Sequence, residues 1–343
     1  MKKKIIKVIT ATLLLIAMSF SVLACAEIEG KSKLRYGKIN IEYYVDGVKT
    51  EQQVGFKLYL NYAPATIEHF THLVEEGYYN NTIVSNLTGY FEFGEYTGSK
   101  DALVSKYDNG DYDKIINSEY RAGKTVGSKG TPRYNEYGQI FGEFEANGIG
   151  GNRLNFSGGA LVLKRNYSEN ENNSYFNTGK ATIAVTFGSA SYFYDASKYA
   201  VFGKLLDDDE LTVNGKKMTS VNFVNSLFND YKSYTDEADD TTISYYYFGY
   251  DYSKYPYAES DAAYEEDEKK DYATINAKLD EYGRYFMKEG NTYYYKTADG
   301  YKGIIDADDE DDALLISAFS KKSLYMLNLP YADITIKSIK LDK

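Results

Sequence analysis

The sequence predicts a mainly β fold that is interrupted by a large inserted α+β segment. Short runs in which apolar and polar residues alternate indicate strands. The aromatic residues are dominated by 38 Tyr and 17 Phe, whereas proline is scarce at four residues, a composition that favours sheets. From 233 to 328 the composition shifts to acidic residues and tyrosine, so this range is predicted to be a separate module. At 343 residues the chain can form one large domain with an insertion or two units.

The first elements follow from simple patterns. Residues 37–60 contain two alternating apolar runs around Asp46 and Gly47, a pair that favours a tight turn, so a β-hairpin is predicted. Pro64 is suited to the first turn of a helix, and Gly77 is suited to its end. Apolar residues at helical spacing between them are Ile67, Phe70, Val74 and Tyr78.

The middle of the chain alternates between polar and apolar stretches. Residues 99–137 are polar and glycine-rich and are interpreted as an expanded loop. Asn214 and Gly215 mark a further turn before a second short helix carrying Val221, Val224, Leu227 and Phe228. Further strand-like runs lie at 139–144, 159–164, 181–187 and 199–205.

Within the insertion, only 272–288 has a helical pattern. Its tyrosines suit either alternating strand packing or an exposed platform for a sugar or a partner protein. These tyrosines are Tyr245, Tyr246, Tyr247, Tyr250, Tyr252, Tyr255 and Tyr257. After the insertion, Ile334, Ile336 and Ile339 alternate with polar residues, which predicts a last strand that returns to the first sheet.

The N-terminus has the features of an export signal. Residues 1–24 combine a basic start, an apolar stretch and a small residue before Cys25, the only cysteine. The VLAC sequence resembles the bacterial lipobox, which implies a lipidated Cys25, with 25–36 as that residue and a polar tether. Two or more acyl chains would hold such a protein on the outer face of the cell membrane. An ordinary secretory signal with an incidental cysteine is the alternative.

Charge and motifs exclude several functions. The net charge is −11, and removal of the four leader lysines leaves about −15, which argues against nucleic acid as a partner. His69 and His72 have metal-compatible spacing, but without a third ligand they are interpreted as histidines on a polar helix face. The acidic run 306–312 lacks the pattern of a calcium loop and is interpreted as solvated charge. No cofactor and no metal are predicted.

Three stretches resemble cyclophilin-type peptidyl-prolyl isomerases. FKLYLNYAPATIEHFTHLVEEGYYNNT resembles the family's strand, turn and first helix, and GEFEANG and SKYAVFGKLL are further matches. PYADITIKSIKL is similar to the terminal strand. The resemblance covers about 37–98, 138–232 and 329–341. It implies an eight-stranded closed antiparallel barrel capped by two helices, formed by 37–232 plus 329–343, with an outer groove for peptides.

The resemblance also identifies where the chemistry would lie. Rotation about an X-Pro bond needs an apolar pocket for the ring and a donor to the twisted amide nitrogen, and in cyclophilins an arginine is the donor. Asn86 stands at that arginine's position. A one-residue gap leaves either Glu92 or Phe93 at the position of a substrate-orienting glutamine, while Thr182 replaces a second glutamine and Ala184 a pocket phenylalanine.

The function predicted from these residues is that of a cyclophilin-type isomerase, a folding helper for proline-containing segments of exported client proteins. The alternative is a non-catalytic cyclophilin-like lipoprotein that binds peptides or proteins, with the insertion as a new contact surface. The predicted groove is lined, beside Asn86, by Tyr90, Phe91, Glu92, Phe93, Leu163, Thr182, Ala184, Phe193, Tyr194 and Tyr199. Packing of these aromatics as a mere cover for the barrel is the simpler reading.

Overall fold

The computed structural model describes residues 33–87, 89–149, 154, 156–165, 176–187, 198–236, 241–248, 266–320 and 326–343. The predicted leader, Cys25, Phe193, Tyr194 and the tyrosines from 250 to 257 lie outside these residues. In chain order, the strands up to residue 218 are β1 (Leu34–Val45), β2 (Val48–Tyr59), β3 (Thr82–Leu87), β4 (Tyr90–Phe93), β5 (Tyr96–Ser99), β6 (Ala102–Ser105), β7 (Thr125–Val126), β8 (Thr131–Pro132), β9 (Ala160–Leu163), β10 (Ile183–Thr186), β11 (Val201–Leu205), β12 (Leu211–Val213) and β13 (Lys216–Met218).

The later strands belong to the insertion, except for the last. They are β14 (Tyr234–Asp236), β15 (Thr241–Phe248), β16 (Tyr285–Glu289), β17 (Thr292–Thr297), β18 (Gly300–Ile304), β19 (Met326–Leu329) and β20 (Thr335–Leu341). The helices of the described residues are α1 (Pro64–Glu75), α2 (Asp111–Ile115), α3 (Ser118–Arg121), α4 (Ser220–Tyr231), α5 (Glu266–Tyr282) and α6 (Glu310–Ser320). Within these ranges, every helix is too short or too polar to span a bilayer.

Eight antiparallel strands close into a barrel, as predicted. Their order around the barrel is β1, β2, β11, β9, β10, β4, β3 and β20. The chain's last strand pairs with β1 on one side and with β3 on the other, so the return of the chain after the insertion completes the ring. Closure leaves no unpaired edge in this sheet, and α1 and α4 pack against its core.

Local patterns explain the first elements. The β1–β2 hairpin turns at Asp46 and Gly47, which have φ of 51° and 77°, the positive values that a two-residue turn of this kind requires. Pro64 occupies the first turn of α1. The helix has no local cap, and instead the buried Glu143 carboxylate accepts hydrogen bonds from the N–H groups of Ala65 and Thr66 at 3.1 and 2.6 Å. The carboxylate therefore satisfies donors that a helix start leaves unpaired.

The barrel interior is filled by alternate residues of the strands. The largest inward side chains are fully buried and form one continuous core with α1 and α4. Representative members are Val54, Phe56, Leu58, Phe70, Phe91, Phe93, Leu161, Leu163, Ile183, Phe202, Phe223, Leu227 and Ile336. Since the interior is packed with side chains, any binding face of this barrel lies on its outside.

Several predicted boundaries were wrong. The strand β1 begins at Leu34, inside the range predicted as tether, because Leu34 to Tyr36 pair with β2. The predicted strand at 139–144 is absent, and Ile140 makes only isolated bridges. The predicted loop 99–137 contains the β5–β6 hairpin and short helices. In the insertion, helix ends at Tyr282, and 285–289 are strand because they pair with β15 and β17.

The insertion forms a second sheet with its own small core. Its strands follow the order β14, β15, β16, β17 and β18, and β19 also pairs with β15. The boundary predicted at 329 therefore falls within β19, which belongs to the insertion's sheet. We call residues 234–236, 241–248, 266–320 and 326–329 the inserted module. Its two ends meet, since Tyr331 N–H donates to Tyr231 O at 2.9 Å and the two rings stack.

The closing strand supports a stability prediction. Ile336 on β20 is fully buried in the barrel core. Ile336→Ala is expected to lower the free energy of unfolding by about 2 to 5 kcal/mol, because it removes apolar contacts and leaves a cavity. Denaturant titration measures the loss. The exposed Lys340→Ala on the same strand is the control, and equal effects of the two substitutions would contradict the assignment of Ile336 to the core.

Candidate functional site

The structure brings six of the predicted site residues together on the outer face of the barrel. Neighbouring positions on a strand point to opposite faces, so β4 presents Tyr90 and Glu92 outward and buries Phe91 and Phe93 inside. The site residues found on the outer face are Asn86, Tyr90, Glu92, Thr182, Ala184 and Tyr199.

Three predicted groove residues are corrected by this alternation. Phe91, Phe93 and Leu163 belong to the core inside the barrel and cannot line an outer groove. Of the two residues that the alignment gap left at the family's glutamine position, only Glu92 faces outward, and its carboxylate lies 3.3 Å from the Asn86 side-chain nitrogen. Phe193 and Tyr194 lie outside the described residues.

A lysine that the sequence reasoning missed joins this cluster. Lys164 follows β9, and its ammonium nitrogen lies 2.7 Å from both carboxylate oxygens of Glu92. It also lies over the Tyr90 ring, 5.6 Å from the centroid. A signal was present, because Lys164 is two residues beyond the outward Val162 and therefore points to the same outer face. A cation thus stands beside Asn86, supplied by another strand.

This ion pair is almost removed from water. Glu92 is fully buried, and the Lys164 side chain is 11% exposed. Burial by itself would lower the pKa of Lys164, but the adjacent Glu92 carboxylate and the Tyr90 hydroxyl reverse this and raise the pKa above its ordinary value. The ion pair therefore favours the charged form of Lys164, and loss of either partner would leave a buried charge alone.

Next to the pair lies an apolar patch on the outer surface of β9, β10 and β11. It contains the buried side chains of Val162, Ala184 and Tyr199, with Tyr90 packed against it. Arg165 holds Tyr199 in place, since its guanidinium carbon lies 4.2 Å from the ring centroid and its Nε donates to Lys198 O. The Lys164 ammonium group, which lies over Tyr90, is therefore at the edge of an apolar surface. A proline ring requires such a surface, and a twisted amide requires such a donor.

The face is covered, which the sequence analysis did not predict. Asn86 is only 3% exposed. Ala184 and Tyr199 are buried in a cluster with Phe156, and the Thr182 hydroxyl lies 2.7 Å from the Tyr107 hydroxyl. The backbone N–H of Asn328, in β19 of the inserted module, donates to Asn86 Oδ1 at 3.2 Å. The expected open groove beside Asn86 is therefore closed by a contact between residues 242 positions apart in the chain.

The structure also places three other groups of residues that the sequence analysis singled out: the helix histidines, the acidic run and the tyrosines of the insertion. His69 is fully buried, not on a polar face: Nε2 donates to Lys180 O at 2.7 Å, so Nδ1 accepts from the Tyr134 hydroxyl at 3.0 Å. Burial lowers its pKa to about 4. In the acidic run, Asp312 is buried and lies 2.7 Å from Lys278, so it joins α5 to α6. Tyr245 and Tyr247 pack on one face of β15 and Tyr246 on the other.

A second carboxyl group makes this region sensitive to pH. Glu95 follows β4 and is buried near Glu92 and Thr182, and the Thr182 hydroxyl donates to it at 3.5 Å. Burial raises the pKa of Glu95 to about 7, and repulsion from Glu92 adds to this. The folded protein therefore binds a proton here that the unfolded chain releases at lower pH, so stability falls as the pH rises towards 7.

We expect Glu95→Gln to remove this loss. Between pH 5 and pH 8 the wild type should lose up to about 3 kcal/mol of unfolding free energy relative to the variant, since each unit of pKa difference corresponds to about 1.4 kcal/mol. Denaturant titrations at several pH values provide the measurement. The exposed Glu136→Gln is the control, and parallel pH curves for wild type and Glu95→Gln would contradict the assignment.

Comparison with solved structures returned cyclophilins. A cyclophilin-type peptidyl-prolyl cis-trans isomerase from Cryptosporidium parvum is 18% identical, with 61% of this chain and 90% of that chain covered and a TM-score of 0.34. The same protein in the presence of the dipeptide Ala-Pro is also 18% identical, with 53% of this chain and 90% of that chain covered and a TM-score of 0.30. A cyclophilin from Hirschia baltica is 12% identical, with 50% of this chain and 66% of that chain covered and a TM-score of 0.23. No curated protein matches.

The family assignment comes from the match of residues 44–214 to the model described as cyclophilin type peptidyl-prolyl cis-trans isomerase. This range spans the barrel from the β1–β2 hairpin to the turn after β12. It contains the outer-face residues Asn86, Tyr90, Glu92, Lys164, Thr182, Ala184 and Tyr199, whereas Asn328 lies outside it. The match does not favour the non-catalytic alternative. With its closed eight-stranded barrel, the chain belongs to the cyclophilin-type peptidyl-prolyl cis-trans isomerase family.

Proposed function

We propose that the barrel isomerises X-Pro bonds in segments of exported client proteins, with Lys164 in the role of the missing cationic donor. The observation that supports this is the ion pair of Lys164 and Glu92 on the same face as Asn86. Glu92 stands at the family's glutamine and bridges the two nitrogen groups. The site thereby keeps a positive charge although Asn86 carries none.

The chemistry needs neither a nucleophile nor a metal. A barrier of about 18 to 20 kcal/mol opposes rotation of the peptide bond, and the twisted amide nitrogen regains a lone pair that a fixed donor can hydrogen-bond. Such a donor accelerates the reaction because it interacts more strongly with the twisted state than with the planar one. We assign the donor role to the Lys164 ammonium group, whose position is fixed by the Glu92 carboxylate at 2.7 Å.

The apolar patch supplies the second requirement, a surface for the proline ring. Tyr90, Val162, Ala184 and Tyr199 form this surface. Ala184 at the family's phenylalanine position makes the floor of the pocket smaller in area, while the Tyr199 ring, held by Arg165, adds an aromatic wall. We expect proline peptides to bind here through ring stacking and apolar contact.

The catalytic role of Lys164 is testable in a charge-neutral double variant. Lys164→Met with Glu92→Gln removes the cation without leaving an unpaired buried carboxylate, so the fold should persist. Because a single preorganised donor typically contributes a hundredfold or more, the catalysed isomerisation rate of a proline peptide should fall by about a hundredfold. Lys204→Met, which breaks a more exposed ion pair between Lys204 of β11 and Asp207, should leave the rate unchanged.

Two outcomes separate catalysis from simple packing. If Glu92→Gln alone retains activity and the double variant loses it, Lys164 is the donor. Equal rates for wild type and the folded double variant would exclude Lys164 from catalysis. If neither the wild type nor any variant that uncovers Asn86 accelerates isomerisation of a proline peptide, the protein is not an isomerase.

We also propose that the protein is exported and anchored as a lipoprotein. The support is the sequence of the leader and the position of Cys25 directly after its small residue. A chain anchored in this way would meet client proteins as they emerge unfolded on the outer side of the membrane, where slow X-Pro isomerisation limits their folding.

The anchor is expected to depend on one side chain. Cys25→Ser should move the protein from the membrane fraction to the soluble fraction and abolish incorporation of a labelled fatty acid, because the acyl chains supply the membrane affinity. Ser32→Ala in the same leader-proximal segment should change neither result. An unchanged membrane fraction in Cys25→Ser would exclude the lipid anchor.

A further inference from the structure

We infer that the inserted module covers the edge of the peptide-binding face at Asn86, and that substrates reach this edge when β19 moves away from the barrel. The inference rests on the proposed function, since it assigns regulation to the same site. It follows from three observations: the module folds around its own core, its other face lies on the barrel, and β19 contacts the residue beside the candidate donor.

The module has a core that is separate from the barrel's. One face of its sheet packs on α5 and α6 through an apolar cluster whose members all lie within the module. These members are Phe248, Ile275, Leu279, Phe286, Tyr293, Ile305 and Leu315. Lys278 and Asp312 add an ion pair between the two helices. The module can therefore separate from the barrel without exposing its own interior.

The opposite face of the module's sheet lies on the outside of β3. Leu327 and Leu329 of β19 are fully buried against Ile83 of β3 and Tyr96 of β5, and Tyr245, Tyr247 and Tyr285 pack around them. Asn328 lies between the two leucines, and its N–H reaches Asn86. The cover thus reaches the site through the hydrogen bond from Asn328 to Asn86, and an apolar contact lies beside this bond.

Polar contacts hold the far side of the module on the β5–β6 hairpin. Lys296 Nζ donates to Asp101 O at 2.7 Å, and the Tyr301 hydroxyl donates to the Asp101 carboxylate at 2.8 Å. The Tyr285 hydroxyl accepts from Leu103 N–H at 2.6 Å, and Lys100 Nζ lies 4.1 Å from the centre of the Tyr245 ring. These polar groups can hydrogen-bond to water when the module undocks, so they add only modestly to the free energy of docking.

The consequence for catalysis is an effect on substrate affinity. If only a fraction of molecules is open, the apparent dissociation constant rises by the inverse of that fraction, while the turnover of a bound substrate is unchanged. Weakening the contact should therefore lower KM for a proline peptide and raise kcat/KM. A substitution that merely disturbs the fold would reduce both kcat and kcat/KM.

The release variant is Leu327→Asp in the full-length chain. A buried carboxylate at the module–barrel contact should favour the undocked state and raise kcat/KM about tenfold or more, mainly through KM. Ile304→Asp is the matched control, because the same kind of substitution in the same sheet falls on a side chain that is 63% exposed. It should leave KM unchanged.

A second variant weakens the same contact between module and barrel in case Leu327→Asp does not fold. Lys296→Met with Tyr301→Phe removes the polar contacts to Asp101 and touches neither the barrel core nor the site. It should give a smaller rise in kcat/KM, of a few fold. Amide hydrogen exchange of residues 82–93 is measured in parallel, and it should become faster in both release variants and stay unchanged in Ile304→Asp.

The outcomes distinguish the cover from the activity. Faster exchange over 82–93 together with a lower KM supports the inference. Faster exchange without isomerase activity in any variant supports the cover and removes the proposed function. Equal exchange and equal KM in folded wild type and release variants overturn the inference, and if these proteins are active the proposed function stands.

Discussion

The whole arrangement depends on the pairing of β20 with both β1 and β3. This last strand closes a ring whose other members come from early parts of the chain, so the polypeptide has to return to its starting point after more than a hundred residues of module and linker. The same pairing places β3 beside the point where the chain comes back from the module. As a result, β19 is delivered to the outer surface of β3, next to Asn86.

The charged site follows from two strands that are distant in sequence. Asn86 cannot supply a cation, yet Lys164 at the end of β9 does so through Glu92 on β4. The interaction is strong because the pair is shielded from water, and it needs both members for the same reason. In the function we propose, a carboxylate and a lysine at two other positions compensate for the neutral residue, and only the assembled barrel brings them together.

Patterns that act over a few residues were read correctly from the sequence. The Asp46-Gly47 turn, the helix that starts at Pro64 and the alternating final strand all depend on local preferences, and the closed barrel followed from the family resemblance. The direction of Glu92 and Phe93 was left open because one missing residue in a turn reverses which side chain faces outward. The burial of Asn86 and of His69 was missed because their partners, Asn328 and Lys180, are remote in sequence.

The meeting of Tyr231 and Tyr331 at the base of the module has a consequence for how such a chain can arise. Their backbone hydrogen bond means that the barrel would need only a tight connection between α4 and β20, and a self-folding unit can replace that connection with little extra entropy of loop closure. A position of this kind tolerates the gain, loss or exchange of whole domains. Related barrels can then differ in what occupies this junction while their strands keep the same ring.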